Sequence, residues 1–308
     1  MTTGDAPRDR FRGCLVGLAI GDALGADAEF MEEDRVRARY GRLTDYGGKP
    51  GHKGQFTDDT AMALCIARSL AERGGVDLSD IAARFVHWMI TDGSGIGNQT
   101  RAVLSRVREG QEPFAASTEV WEQSRRKAAG NGGVMRCAPI ALLDWDKPDA
   151  LVRDSRETCR LTHPDPRCEW SCVAVNTAIA RLLQGERDVA EAVKAAVAGQ
   201  CDELETALTR ARTMPVADMR VDGWDQGYTI VTTQIAFAAV LGGEPFEEAL
   251  IQVVNKGGDA DTNGAVAGAL LGARDGYESL PQRWREGLAE ASKVMDLADS
   301  LWGLAGGG

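Results

Sequence analysis

Apolar side chains recur at the i, i+4 spacing of an α-helix through most of this 308-residue chain, and almost nowhere at the alternating spacing of a strand. The clearest stretch is 61–72 (AMALCIARSLAE), where Met62, Ile66 and Leu70 share one stripe with Ala61, Cys65 and Ser69 beside them. Similar stripes mark 79–90, 99–108, 169–183, 187–198, 246–254, 265–274 and 283–302. One segment, 228–241 (YTIVTTQIAFAAVL), has the β-branched richness of a buried strand, but its Ala-rich continuation breaks any period of two, and it reads as a helix. With no repeated strand, the expected fold class is all-α with short loops.

At 44% hydrophobic residues the chain can bury one large core. No Pro/Ser tract or long charge block divides it, so 1–308 is expected as a single domain, with 1–9 a disordered N-terminal tail and 304–308 a flexible C-terminal one. The formal net charge of -11 argues against a nucleic-acid backbone or an anionic membrane as the main partner, since both need a basic face. A small anionic substrate would need local positive charge, which bound cations can supply. No apolar run follows a basic start, and no charge-free apolar run reaches about 18 residues, so neither a secretory signal nor a membrane span is expected.

Seven cysteines at irregular spacings read as reduced thiols of a cytoplasmic protein. Cys159, His163, Cys168 and Cys172 are all possible zinc ligands, but their spacing is not that of a ribbon or finger, and Cys commonly serves as a small buried apolar residue. The 36 glycines cluster beside acids and amides, at Gly21-Asp22-Ala23-Leu24-Gly25, Gly93-Ser94-Gly95-Ile96-Gly97-Asn98, Asn131-Gly132-Gly133 and Gly257-Gly258-Asp259. Such clusters suit close approach of backbone to a ligand. The loose likeness of GDALGADA to GDADTNGA is not taken as a repeat.

Two acidic clusters precede helical stretches: Thr57-Asp58-Asp59-Thr60 and Asp259-Ala260-Asp261-Thr262. Either one alone is accounted for as a helix N-cap, where Thr and Asp oxygens accept from free backbone N–H groups and acids suit the positive helix end. A cap needs one acceptor, however, and each cluster offers two carboxylates and a hydroxyl. Asp259-x-Asp261-x-Asn263-Gly264 also matches the first half of a calcium-binding EF-hand loop, but the twelfth position is Leu270 where a bidentate Glu belongs. If the clusters converge, oxygen-only ligation suits Mg²⁺, Mn²⁺ or Ca²⁺, and two divalent ions would balance carboxylates that otherwise repel or take up protons. A metal pair can bind a diol or phosphate and activate a bridging water, which points to hydrolysis.

Taken in order, 11–30 (FRGCLVGLAIGDALGADAEF), 54–60 (GQFTDDT), 131–140 (NGGVMRCAPI), Thr162-His163 and 254–274 (VNKGGDADTNGAVAGALLGAR) resemble the ADP-ribosylglycohydrolase family, and within it the dinitrogenase-reductase-activating branch. The resemblance implies a compact orthogonal helical bundle with two Mg²⁺ or Mn²⁺ ions, releasing ADP-ribose from a modified acceptor at the ribosyl C1 bond. It implies Thr57, Asp58, Asp59, Asp259, Asp261 and Thr262 as metal ligands, with Asp59 and Asp261 central to catalysis and Glu29 as a ligand or general base. Cleavage at an anomeric carbon through an oxocarbenium-like state fits carboxylates and a positioned water.

Substrate contacts implied in the same way are Gly95, Gly97, Asn98 and Thr100 at a helix start able to cradle a diphosphate, the loop Asn131, Gly132, Gly133 and Met135, and His163 near the ribose. Taken alone, each has an ordinary role: flexible loop, tight turn, turn histidine before Pro164. Trp224 is a stacking candidate for adenine, while core packing accounts for most of the tryptophans. Relatives acting on ADP-ribosyl-arginine carry an acid in the 93–98 loop, where this chain has Gly95-Ile96-Gly97, and only Asp92 is near. The acceptor is therefore open between protein, small-molecule and nucleic-acid linkages, with ADP-ribose as product and a monomer expected. A non-catalytic ADP-ribose-binding or structural member of the fold is the competing reading, against which the complete acidic set and Glu29 stand.

Overall fold

The computed structural model describes residues 5–47 and 53–306, and among these it contains sixteen α-helices and no strands. In order they are α1 (Asp5–Gly25), α2 (Glu33–Tyr40), α3 (Asp58–Arg73), α4 (Leu78–Thr91), α5 (Asn98–Arg108), α6 (Pro113–Gln123), α7 (Ala138–Leu143) and α8 (Pro148–Arg160). Then follow α9 (Pro166–Leu183), α10 (Ala190–Val197), α11 (Asp202–Ala211), α12 (Thr229–Leu241), α13 (Phe246–Val254), α14 (Ala260–Asp275), α15 (Gln282–Gly287) and α16 (Ala291–Leu304). No helix among the described residues is long and apolar enough to cross a membrane.

The fold is organised on an antiparallel pair, α1 against α14, buried along nearly its whole length. Glycine makes the pairing possible. Gly13, Gly17, Gly21 and Gly25 form one i, i+4 row, and it faces Gly272, Gly268, Gly264 and Ala260 in matching antiparallel order. A Cβ at Gly21 would lie 1.9 Å from the Gly264 carbonyl oxygen, and one at Gly272 1.9 Å from that of Gly13. Only backbones without side chains pack this closely. The Gly21–Gly25 cluster thus serves helix contact rather than ligand approach.

The remaining elements wrap this pair. Segment 228–241 is helical as expected (α12) and buried on nearly all sides, which removes any periodicity from its sequence. Its β-branched Thr233 is accommodated by donating Oγ1 to the Thr229 carbonyl at 2.7 Å. Two sequence expectations need correction. The tail assigned to 1–9 is helical from Asp5 onward, its first four residues lying outside the described residues. The stripe at 283–302 is two helices rather than one, broken at Glu290, whose backbone is left-handed at φ 54°. At the other end Leu304 closes α16, 305–306 form a turn, and 307–308 lie outside the described residues.

Candidate active site

The N-termini of α3 and α14 meet beside the Asp22 segment of α1, and the two acidic clusters face each other there. Thr57 and Asp259 occupy the N-cap positions of α3 and α14, yet neither side chain makes a capping hydrogen bond. The cap of α3 comes instead from another helix. Asp22 Oδ1 accepts from Thr57 N at 2.8 Å and Thr57 Oγ1 at 2.9 Å, and its Oδ2 accepts from Thr60 N at 2.9 Å and Thr60 Oγ1 at 2.6 Å. Asp22 thus supplies in trans the acceptors that the Thr57 side chain does not, at both Thr57 N and Thr60 N. Asp22 is a site residue that sequence reading missed. Its signal in the sequence is a lone acid inside the otherwise uncharged, largely apolar run 13–25.

One hydroxyl shows the shortage of protons. Thr57 Oγ1 lies 2.9 Å from Asp22 Oδ1, 3.2 Å from Asp59 Oδ2 and 3.4 Å from Asp261 Oδ2, but it has a single hydrogen to donate. Asp59 Oδ1 is buried with no hydrogen-bond partner at all. Carboxylate oxygens of Asp22, Asp59 and Asp261, and again those of Glu29, Asp259 and Asp261, lie within 4.8 Å of one another. Burial, followed by mutual repulsion, raises Asp59 and Asp261 well above the ordinary carboxylate range. Burial is also the main cause that lifts Asp22 to about 6 and Asp58 to about 7. Glu29 reaches about 7 through burial and then the charges of Asp259, Asp58 and Asp22.

An all-oxygen, proton-starved cluster of this kind fits hard divalent cations. Asp22 has each oxygen already engaged by two protein donors, so its part is to fix α3, while Asp58, Asp59, Asp259, Asp261 and Glu29 keep lone pairs to offer. An EF-hand is excluded by geometry, because 260–275 is helix where that loop would run. Cys159, His163, Cys168 and Cys172 do not form such a group: among the described residues, only the acids converge within 4.8 Å, and all seven cysteines are free thiols.

A cleft opens over the carboxylates. It is lined by Glu29, Asp58, Asp59, Asp259, Asp261 and Thr262 on the floor and by Gly95, Gly97, Asn98, Thr100, Asn131, Gly132, Met135 and His163 on the walls. Thr57 lies behind the floor, bonded to it. Gly133 does not line the cleft: a Cβ there would meet Cys159 Sγ at 2.6 Å, so this glycine admits a buried cysteine. Phe30, Gln99 and Gly130 line the cleft without having been singled out by sequence. Two short antiparallel bridges, Met31 with Gly258 and Gly130 with Tyr228, hold its loops in place. Phe30 N donates to the Gly258 carbonyl at 2.6 Å, which ties the Glu29 segment to the Asp259 loop.

The wall residues are fixed by specific bonds. Asn131 Nδ2 donates to Asp259 Oδ2 at 2.8 Å and to Thr232 Oγ1 at 3.0 Å. Gly97 is the N-cap of α5, whose first residues Asn98, Gln99 and Thr100 line the cleft, and Gly95 at φ 79° passes so close to Asp58 that a Cβ would lie 2.7 Å from its Oδ1. Asp92 turns away: its Oδ1 accepts from Ser94 Oγ at 2.6 Å, and the residue borders a separate cleft between α3 and α4. Trp224 is 97% exposed, outside the core that holds Trp284.

These features match known proteins over the whole chain. The ADP-ribosylglycohydrolase family model covers residues 3–308. The ADP-ribosyl-[dinitrogen reductase] glycohydrolase of Rhodospirillum rubrum is 33% identical, with 99% of each chain aligned. An ADP-ribosylarginine hydrolase of Serratia proteamaculans is 28% identical over 96% of this chain and 80% of its own length. A solved ADP-ribosylglycohydrolase-related protein complex superposes at a TM-score of 0.82 with 31% identity, covering 98% of this chain and 99% of that one. The chain belongs to the ADP-ribosylglycohydrolase family.

Proposed function

We propose that the protein hydrolyses ADP-ribosyl linkages, cleaving the ribosyl C1 bond to release ADP-ribose from a modified acceptor. The observation that carries this reading is the convergence of Asp58, Asp59, Asp259, Asp261 and Thr262 with Glu29 on one cleft, in a family whose relatives are named for this activity. Asp58, Asp59, Asp259, Asp261, Glu29 and the Thr57 and Thr262 hydroxyls would hold two Mg²⁺ or Mn²⁺ ions. Such ions bind a ribose diol and lower the pKa of a bound water, supplying a nucleophile near neutral pH.

The chain's own residues do the rest. The orphan N–H groups at the start of α5 suit a diphosphate, which a chain of net charge -11 would otherwise repel. Asn131, clamped between Asp259 and Thr232, orders the wall next to the floor. Glu29, on the cleft floor, would take a proton from the attacking water. With Asp92 turned away, the 93–98 loop brings no acid to the acceptor side, and the acceptor class is to be read by experiment.

The test is ADP-ribose release from arginine-, serine-, nucleic-acid- and acetyl-linked substrates with Mg²⁺ or Mn²⁺, together with melting of chelator-treated protein as either ion is added back. Release from at least one linkage and a rise in Tm are expected. No release from any of them would leave ADP-ribose binding without turnover, and an unchanged Tm would remove the metals.

A further inference from the structure

His163 sits at the end of a hydrogen-bond chain that starts from a buried cation. Arg136 is 1% exposed and has no carboxylate among its hydrogen-bond partners. Its Nη2 donates to Thr162 Oγ1 at 2.6 Å, its Nη1 to Met62 Sδ at 3.7 Å, and the guanidinium lies 4.6 Å over the Phe85 ring. A guanidinium can only donate, so Thr162 Oγ1 accepts this bond.

Thr162 Oγ1 is also 2.7 Å from His163 Nδ1. Among the described residues Nδ1 is the only acceptor left for the hydroxyl's own hydrogen. If the ring proton were on Nδ1, both groups would point hydrogens at each other, or the hydroxyl would turn its hydrogen into a protein interior where Thr162 is fully buried. A buried donor left without an acceptor has lost its water and gained nothing in exchange, which fixes the tautomer. Nδ1 therefore accepts and the ring proton resides on Nε2. Burial and the nearby Arg136 charge push His163 down to about 3, so the ring is neutral.

The Nε2 edge lies along the glycine stretch of the cleft wall: a Cβ at Gly132 would be 3.0 Å from Nε2, and one at Gly130 3.6 Å. Nε2 has no hydrogen-bond partner among the described residues. The backbone around the pair is held as well, with Gln99 Nε2 donating to the Thr162 carbonyl at 2.8 Å.

We infer that Arg136 and Thr162 act as positioning residues that fix His163 as an Nε2–H donor on the cleft wall, reserved for an oxygen of the bound ligand and unable to accept a proton from it. This rests on reading the cleft as the ADP-ribose site. It assigns His163 to ligand orientation and leaves proton transfer to the carboxylates.

Long-range ¹H–¹⁵N correlation spectra of the full-length protein, with the His163 signals assigned by their loss in His163→Gln, report the tautomer directly. Wild type is expected to show a protonated Nε2 and an unprotonated Nδ1. Thr162→Val should shift the ring toward the Nδ1–H form and weaken ADP-ribose binding about five- to tenfold, the equivalent of one hydrogen bond, and Thr162→Ser should restore both. An Nδ1–H ring in wild type overturns the inference even if Thr162→Val fails to fold, as does a Thr162→Val protein with tautomer and affinity unchanged. An Nε2–H ring in a protein that neither binds nor releases ADP-ribose supports the relay and overturns the functional reading. Release of ADP-ribose by a protein with an Nδ1–H ring does the reverse.

Discussion

Replacing Gly268 by Ala sets two effects of opposite sign against each other. In a helix interior Ala is favoured over Gly by about 1 kcal/mol, because glycine has more backbone freedom to lose. At 268, however, the new Cβ would lie 2.1 Å from the Gly17 carbonyl oxygen and 2.8 Å from its carbon. Neither atom can rotate away as a side chain would. Overpacking costs roughly 1–3 kcal/mol where side chains yield, and backbone against backbone puts this site near 3 kcal/mol. Packing therefore wins by about 2 kcal/mol. An unfolding entropy of roughly 2.1 cal/mol/K per residue gives about 0.65 kcal/mol/K for this length, so Tm should fall by about 3 °C.

Gly303, exposed in α16 with nothing within 4 Å of where a Cβ would go, is the internal control. Gly303→Ala has the propensity gain without the collision and should raise Tm by up to about 1.5 °C. Scanning calorimetry of both variants beside wild type, with Mg²⁺ and with chelator, measures the difference. A Gly268→Ala protein that melts at or above wild type would refute the close pairing of α1 with α14, and with it the account of how Asp22 and Asp261 come to share a site.

Three further outcomes follow from the cluster. Asp22 and Asp58 sit at about 6 and 7 when folded, above an ordinary value near 4, so the metal-free fold binds protons more tightly than the unfolded chain. That stabilisation is complete below about pH 4 and is lost as pH rises to about 7, so chelator-treated protein should melt several degrees lower at about pH 8 than at about pH 5, and saturating Mg²⁺ should remove most of the gap. Ion-paired Asp299, held at about 2 by Arg12 and Arg8, acts in the opposite sense only at lower pH; a pH-independent Tm in chelator would contradict the buried-charge account. Asp22→Asn must oppose its NH₂ to one of the backbone N–H groups of Thr57 or Thr60, whichever way the amide is turned, and should lose about 1–3 kcal/mol in Mg²⁺, read as a Tm drop of about 2–4 °C. Asp261→Asn should abolish ADP-ribose release, and undiminished turnover would take the second cluster out of the site.

Most helices and the acidic clusters were legible because their signals are local. The stripe at 61–72 is α3 with its ends trimmed, and 246–254 matches α13 residue for residue. The helix that matters most, α1, gave no apolar stripe, because its contact row is glycine, and a helix that packs by lacking side chains leaves no hydrophobic period to read. The break at 288–290 is only half marked: Gly287 ends α15, but the left-handed turn itself falls on Glu290, a non-glycine residue held at positive φ. At the site, the choice between cap and ligand could not be made from Thr57–Thr60 alone. The group that caps α3 is Asp22, and a bond spanning 35 positions has no sequence signature. The Arg136–Thr162 bond escaped notice similarly, since a buried arginine without an acid reads as a surface residue until the fold encloses it.

The acidic cluster draws on α1, α3 and α14, and Thr57 Oγ1 and Asp261 Oδ2, 3.4 Å apart there, belong to residues 204 positions apart in the chain. A ribosome must therefore finish the greater part of the polypeptide before the two acidic clusters can meet. Until α14 emerges, α1 presents a bare glycine furrow and a buried-type carboxylate to water, with nothing to close over either. Such distant closure is entropically slow. Docking of α14 onto α1 would then also complete the proposed cation site, and a divalent ion that binds only the docked form would favour it by mass action.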